Sequence, residues 1–147
     1  MANFQDWLKF GWLKTHKTSR EEIADLLAVA DRDIAACQTP GLVADWRLNI
    51  AYNAALQLAV AALAAAGYRA ERSNHHYHVI QSLELTIGAS ASTIGKFDVL
   101  RKKRNITDYE RAETVSDLEA EEMRKLAVSL RKRTEEWIWT NYPDYAP

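Results

Sequence analysis

Apolar residues recur every three to four positions along most of the chain, which is the period of an amphipathic helix. Alternating patterns typical of strands are almost absent. Glycine and proline are few, at five and three residues, so few points force a helix to end. The pattern predicts helical segments over residues 3–14, 18–38, 42–66 and 74–87, a restart near Ser92, and a last helix from Ser116.

Capping residues support the starts of two of these helices. In the segment 18–38, Thr18 or Ser19 can cap the helix, and Glu21 or Glu22 can complete a capping box. The last helix begins with "SDLE" from Ser116, which has the same spacing of serine and glutamate.

The segment 42–66 is apolar on nearly every side and contains the small-residue run "AVAALAAAG". A helix that is apolar all round belongs in the centre of a bundle. The segment also carries Asn53 and Gln57, so a buried helix explains it better than a membrane span does. We therefore predict an all-α fold, an up-and-down bundle of four or five helices, with no membrane association.

The length of 147 residues fits one domain, and an apolar content of 48% is enough for a core without a metal or disulfide. We expect a single domain over residues 1–147. Its parts are a helical extension over 1–16, the bundle over 18–140 and a tail over 141–147.

The charges nearly balance, with 19 basic and 20 acidic residues and a net charge of −1. A role in nucleic-acid binding would therefore need a local basic patch. The single Cys37 excludes an intramolecular disulfide and a cysteine-based zinc site, and it fits a reducing compartment. The first residues show no apolar run typical of a secretory signal, so we expect a cytoplasmic protein.

The local basic patch is "RKKRNITDYE", residues 101–110. Ile94, Phe97, Arg101, Arg104 and Asp108 are spaced by three or four residues and would share one side of a helix. An inward-facing stripe thus continues into arginine and carboxylate, which a merely solvated face does not normally do. The alternative is that the arginines lie at a helix C-terminus, where the dipole favours them, and that Arg104 pairs with Asp108.

A second polar cluster, "SNHHYHVI", contains His75, His76 and His78. His75 and His76 are adjacent and diverge on a helix, and no cysteine or HExxH-like partner is nearby. We therefore predict no metal site, and no cofactor. Either the histidines begin a helix and pack on the bundle, or one of them approaches Arg104 and supplies an acid or base.

The segments "YNAALQLAVAALAAAGYRAERSNHHYHVIQSLELTIG" and "FDVLRKKRNITDYE" resemble the HEPN superfamily, over roughly residues 45–135. The resemblance implies a helical bundle that is usually a dimer, with the arginine motif facing the partner subunit. We expect a homodimer that forms through the central helices. Many members are metal-independent ribonucleases whose motif is an arginine, often followed by asparagine, and then a histidine. Arg104 and Asn105 match its first part, whereas Tyr109 stands where histidine is usual.

The tyrosine weakens the ribonuclease interpretation. Histidine has a pKa near about 6.5 and exchanges protons at neutral pH, whereas tyrosine has a pKa near about 10 and is a poor general base. Asp108 is ionised but too weak a base to take a ribose hydroxyl proton well. A binding role remains, because arginine holds phosphate and tyrosine can stack on a base.

We therefore expect an HEPN-like protein that binds RNA or a nucleotide without efficient catalysis. The predicted binding residues are Arg101, Arg104, Asn105, Asp108, His75 and His78. Two alternatives stay open: a metal-independent ribonuclease using Arg104 with Tyr109 or a nearby histidine, and a non-catalytic dimeric interaction module. The resemblance also implies an antitoxin-type protein partner and a role in a toxin–antitoxin or other stress and defence module.

Overall fold

The computed structural model describes residues 3–109 and 115–147, with the backbone alone for 105–109. The protein is mostly helical, at 72%, and the β structure in its described part is one two-stranded sheet, which confirms the all-α class. The helices are α1 (Phe4–Lys9), α2 (Arg20–Ala36), α3 (Ala44–Ala65), α4 (His75–Gln81), α5 (Ala91–Tyr109) and α6 (Asp117–Asn141). The strands are β1 (Leu13–Thr15) and β2 (Tyr68–Ala70), and short 3-10 helices cover Ser82–Glu84 and Pro143–Tyr145.

Helix α3 forms the centre of the protein and packs along α2 and α6. Its apolar circumference predicts this position, and its alanines and leucines from Ala54 onward are almost all buried. By length and composition α3 could also cross a membrane, but 72% of its most apolar window is buried inside the protein. Burial of that extent is what a core helix of a bundle shows.

The predicted N-caps of α2 and α6 are present, but the capping box predicted for α2 is not formed, because the Glu22 carboxylate accepts from the Thr18 hydroxyl at 2.7 Å instead. The Ser19 side chain accepts a hydrogen bond from the Glu22 amide at 3.1 Å. At α6, Ser116 and Glu119 form the complete capping box, with the Glu119 amide 3.0 Å from the serine hydroxyl and the Ser116 amide 2.9 Å from the glutamate carboxylate. Local sequence thus fixes where these two helices begin.

The single helix predicted over residues 3–14 is wrong in its second half. Helix α1 ends at Lys9, and Gly11 has a φ of 78°, a left-handed conformation that lets the chain leave the helix. The chain then forms β1, which pairs antiparallel with β2 so that Leu13 lies opposite Ala70. Both residues are buried, so this β ribbon adds to the core. Strands of three residues are too short to show an alternating pattern.

The helix predicted over 74–87 is shorter in the structure. Helix α4 ends at Gln81, and Ser82 begins a 3-10 turn in which its hydroxyl donates to the Val79 carbonyl at 2.6 Å. Gly88, with a φ of 69°, redirects the chain toward α5. Helix α5 then packs against both α3 and α4. Arg101 and Arg104 of α5 lie beside Tyr77 of α4 and Tyr52 of α3, respectively.

Candidate functional site

The inward face of α5 changes from apolar to basic along its length. Ile94, Phe97 and Leu100 are buried in the core. Arg101 follows on the same side and is largely enclosed, with 18% of its side chain exposed. Arg104 is half-buried one turn further along. The helical period thus places two guanidinium groups at the edge of the core rather than on the outer face.

Arg104 lies over an aromatic ring from the central helix. Its Cζ is 5.1 Å from the centroid of the Tyr52 ring, within the range of a cation–π contact. Tyr52 is 1% exposed and also packs edge-on against Phe97 at 5.6 Å. Because Tyr52 is fixed by the core, the position of the arginine above it is restricted as well.

Tyr52 connects Arg104 to a histidine. The phenol oxygen of Tyr52 lies 3.0 Å from Nδ1 of His76, the second residue of α4. Burial raises the pKa of Tyr52 to about 12, so the phenol stays protonated at neutral pH. Burial, and then the charge of Arg104, lower the pKa of His76 below its ordinary value. The imidazole is therefore mainly neutral at pH 7.

The second arginine, Arg101, also lies over a tyrosine ring, in this case one that is exposed. Arg101 Cζ is 5.8 Å from the centroid of Tyr77, and the Tyr77 residue is 42% exposed. Arg101 Nε donates to Asp98 Oδ1 at 2.7 Å, and Lys102 Nζ lies 3.5 Å from the other oxygen of the same carboxylate. Asp98 therefore offsets part of this positive charge. We call Arg101, Arg104, Tyr52, His76 and Tyr77 the arginine–tyrosine site.

The predicted histidines have different surroundings. His75 lies beside the site, with its ring 5.9 Å from the ring of His76, but it lines a separate cavity next to the β ribbon. His78 is buried, and its ring is stacked on Trp12 at 4.8 Å and lies 6.0 Å from Trp7. His78 therefore packs with the N-terminal aromatic residues rather than with the arginines.

The side chains of Asn105, Asp108 and Tyr109 lie outside the described residues, so their predicted roles stay predictions. Among the described side chains, no group of three histidine, cysteine or acidic residues has an arrangement that could hold a metal ion.

Sequence reasoning missed the two tyrosines of the site. Tyr52 belongs to a helix that is apolar all round, so its pattern does not show which face meets α5. His76 was one of three candidate histidines, and adjacent residues on a helix diverge by about 100°. Only the angle at which α4 meets α5 determines which histidine approaches Arg104. Comparison of the chain with protein-family models, with curated proteins and with solved structures finds no match.

Proposed function

We propose that the protein binds RNA or a nucleotide through the arginine–tyrosine site, as the HEPN resemblance implies. The observation that carries this proposal is that two arginines of α5 each lie over a tyrosine ring from a different helix. A ring contact engages the flat face of a guanidinium, whereas phosphate binding uses its N–H edge. The same group can therefore be held by the protein and present donors to an anion.

The setting of the site favours an anionic, aromatic ligand. Arg101 and Arg104 are partly withdrawn from water, so their attraction to a phosphate is screened less than at an open surface. Tyr77 is exposed enough to offer a ring face to a base, and base–aromatic stacking contributes about 1–3 kcal/mol. Phosphate contact and stacking together suit a nucleotide better than a simple anion.

The proposed role is binding without efficient catalysis. With a pKa of about 12, the Tyr52 phenol neither gives up nor exchanges its proton readily at neutral pH. Its contacts with Phe97 and His76 support a positioning role for the ring instead.

The test compares two substitutions that remove one positive charge from α5. Arg104→Ala removes an arginine of the site, whereas Lys102→Ala removes an outward lysine whose side chain is 66% exposed. Binding of labelled single-stranded RNA is measured by fluorescence anisotropy at several salt concentrations. We expect Arg104→Ala to weaken binding about tenfold or more, because a charged hydrogen bond is lost. Equal effects of the two substitutions, or binding of neither RNA nor a mononucleotide by the unmodified protein, would refute the proposal.

A specific observation favours a metal-independent ribonuclease as the second candidate. His76 is mainly neutral at pH 7 and shares Tyr52 with Arg104. In the tautomer whose Nδ1–H donates to Tyr52, its Nε2 lone pair could accept the proton of a ribose 2′-hydroxyl. The 2′-oxygen would attack phosphorus, Arg104 would stabilise the added charge, and the 5′-oxygen would leave with a proton from water.

This candidate is tested by incubating the protein with labelled single-stranded RNA and transfer RNA in EDTA. Cleavage that is lost in both Arg104→Ala and His76→Ala but kept in Tyr109→Phe would establish His76 as the base. Cleavage that is lost in Arg104→Ala and Tyr109→Phe but kept in His76→Ala would assign that role to Tyr109. Intact RNA with the unmodified protein leaves the binding proposal and removes the ribonuclease.

The homodimer, the antitoxin-type partner and the cytoplasmic setting remain proposals drawn from the sequence. Helix α3 is enclosed by α2 and α6 of its own protomer. A homodimer would therefore use other helices for its interface. Sedimentation of the purified protein over a range of concentrations tests this proposal.

A further inference from the structure

Two cations lie directly opposite each other on the β ribbon. The register of β1 and β2 pairs Lys14 with Arg69, so their side chains project from the same face of the ribbon. Like charges in this arrangement repel and destabilise a strand pair. An opposite charge in place of Arg69 would relieve this repulsion, so the stability of the ribbon alone does not account for the arginine.

The pair borders a cavity of about 360 Å³ that is rich in positive charge. Its lining residues are Lys14, Arg69, Ala70, Glu71, Arg72 and His75. Three of the lining side chains are cations, and Glu71 is the one carboxylate among them. We call this space the ribbon cavity.

Glu71 offsets only part of that charge. Lys14 Nζ lies 3.4 Å from the Glu71 carboxylate. Arg69 and Arg72 form no ion pair with any side chain that the structure describes, and both are exposed. The ribbon cavity therefore holds two guanidinium groups that can bind an anion from solution.

The backbone around the ribbon cavity is well fixed. Beyond the paired strands, the Glu71 amide donates to the Trp12 carbonyl at 2.9 Å, and the His16 amide donates to the Gly67 carbonyl at 2.8 Å. Ala70, which lies between Arg69 and Arg72 in the sequence, is buried in the core. A ligand that binds here would therefore pay little to order the backbone.

The ribbon cavity and the arginine–tyrosine site meet at the start of α4. His75 lines the ribbon cavity, and the next residue, His76, contacts Tyr52 under Arg104. The two histidine rings are 5.9 Å apart, so the two sites adjoin at these residues. A mononucleotide with its phosphate at Arg104 would not need the ribbon cavity, whereas a nucleic-acid strand would continue past it.

We propose that the ribbon cavity binds phosphate groups of a single-stranded RNA that continues from the arginine–tyrosine site, an inference that rests on the proposed function. The arginine–tyrosine site holds one nucleotide, and Arg69 and Arg72 hold backbone phosphates next to it. The protein therefore selects a strand over a mononucleotide.

The experiment measures binding of a labelled single-stranded ten-nucleotide RNA and of a mononucleotide by the same protein variants. Arg69→Gln with Arg72→Gln removes the two cations of the ribbon cavity. Lys125→Gln with Lys132→Gln removes two exposed lysines of α6 and is the control of equal charge. Arg104→Ala reports on the arginine–tyrosine site. Circular dichroism confirms that each variant is folded, and the single substitution Arg72→Gln, outside the strands, replaces the double variant if that variant is unfolded.

We expect the variant with Arg69→Gln and Arg72→Gln, called the ribbon variant, to bind the RNA about tenfold more weakly near physiological salt. The slope of log affinity against log salt concentration should become shallower by about 1.4, since each single-strand phosphate contact contributes about 0.7. The affinity of the ribbon variant for the mononucleotide should not change. Arg104→Ala should weaken the binding of both ligands, and the α6 control should weaken the binding of neither by a comparable amount.

The possible failures are distinguishable. If Arg104→Ala weakens RNA binding and the ribbon variant behaves like the α6 control, the ribbon-cavity inference is wrong and the proposed function stands. If the unmodified protein binds neither ligand, both are wrong. If inorganic phosphate or pyrophosphate stabilises the unmodified protein but not the ribbon variant, and RNA does not compete, the cavity serves a free anion and the RNA inference is refuted.

Discussion

Two consecutive residues of α3 anchor two polar networks on different sides of the helix. Asn53 faces α2, where its amide nitrogen donates to Asp33 Oδ2 at 2.7 Å. Tyr52 faces α5, where its ring lies under Arg104 and its hydroxyl is 3.0 Å from His76. One network joins α3 to a carboxylate, and the other joins it to a cation.

The two networks differ in the groups that contact the charged side chain. Asp33 accepts from Asn53 and also from Arg32 Nε at 3.0 Å, so its two oxygens have donors within the protein. Arg104 lies over the Tyr52 ring, a contact that engages the flat face of the guanidinium rather than its N–H edge. We infer that the Asp33 network serves stability and that the Arg104 network serves ligand binding. A substitution in the Asp33 network should therefore lower stability and leave RNA binding unchanged. A substitution in the Arg104 network should weaken RNA binding and lower stability less.

The largest effect on stability is expected from Asp33→Ala. The substitution removes a buried carboxylate and leaves the partly buried amide of Asn53 without this acceptor, which should lower the free energy of unfolding by about 2 kcal/mol. Urea denaturation followed by circular dichroism measures it, and RNA affinity of the folded protein should stay unchanged. Asp25→Ala, at an exposed position of the same helix, is the control and should change stability little. A loss no larger than in the control would remove the contrast between the networks.

Arg104→Ala should have a small effect on stability and a large effect on RNA binding. Arg104 is only half-buried and its cation–π contact contributes about 1 kcal/mol, so the substitution should lower the free energy of unfolding less than Asp33→Ala does. The same substitution should weaken RNA binding more than any other in α5 described above. If urea denaturation shows a loss as large as that of Asp33→Ala, Arg104 is mainly a structural residue.

Tyr52→Phe separates the ring from its hydroxyl. The ring that supports Arg104 remains, while the contact with His76 Nδ1 is lost, at about 0.5–1 kcal/mol of unfolding free energy. RNA binding should stay close to that of the unmodified protein, because the guanidinium keeps its support. A strong loss of binding in this variant would show that the hydroxyl, rather than the ring, is what the site requires.

The smallest expected effect is on the pH dependence of stability. The folded-state pKa of His76 is lowered, so the unfolded chain takes up a proton first as the pH falls through about 6.5. The titration of His76 therefore has no effect on stability at pH 8, and it destabilises the folded protein increasingly as the pH falls toward 5. Between pH 8 and pH 5, the His76→Asn variant should lose less stability than the unmodified protein, as measured by urea denaturation at each pH. The pKa of His78 is also lowered by burial, so only the difference between the two proteins reports on His76.

Nuclear magnetic resonance titration gives a more direct readout of the same contact. Burial is the first cause of the lowered His76 pKa and the charge of Arg104 is the next. In Arg104→Ala the pKa of His76 should therefore rise but stay below its ordinary value. An unchanged pKa would place Arg104 farther from His76 than the shared contact with Tyr52 implies.

Part of this arrangement could be predicted from the sequence, because it depends on neighbours within one or two helical turns. The capping box at Ser116, the buried position of α3 and the inward stripe through Ile94 and Phe97 follow from local spacing. The β ribbon could not be predicted in this way. Its strands are three residues long and pair across more than fifty positions of sequence, as Leu13 with Ala70 shows.

The sequence by itself determined that the chain is helical, where two of its helices begin, and that two arginines continue a buried stripe on α5. Tertiary structure decided which groups those arginines meet. The faces of α3 cannot be distinguished by hydrophobicity, and the three histidines of α4 point in different directions. Only the packing of α5 on α3 and α4 brings Tyr52 and His76 to Arg104, because side-chain direction follows from how helices pack and not from composition.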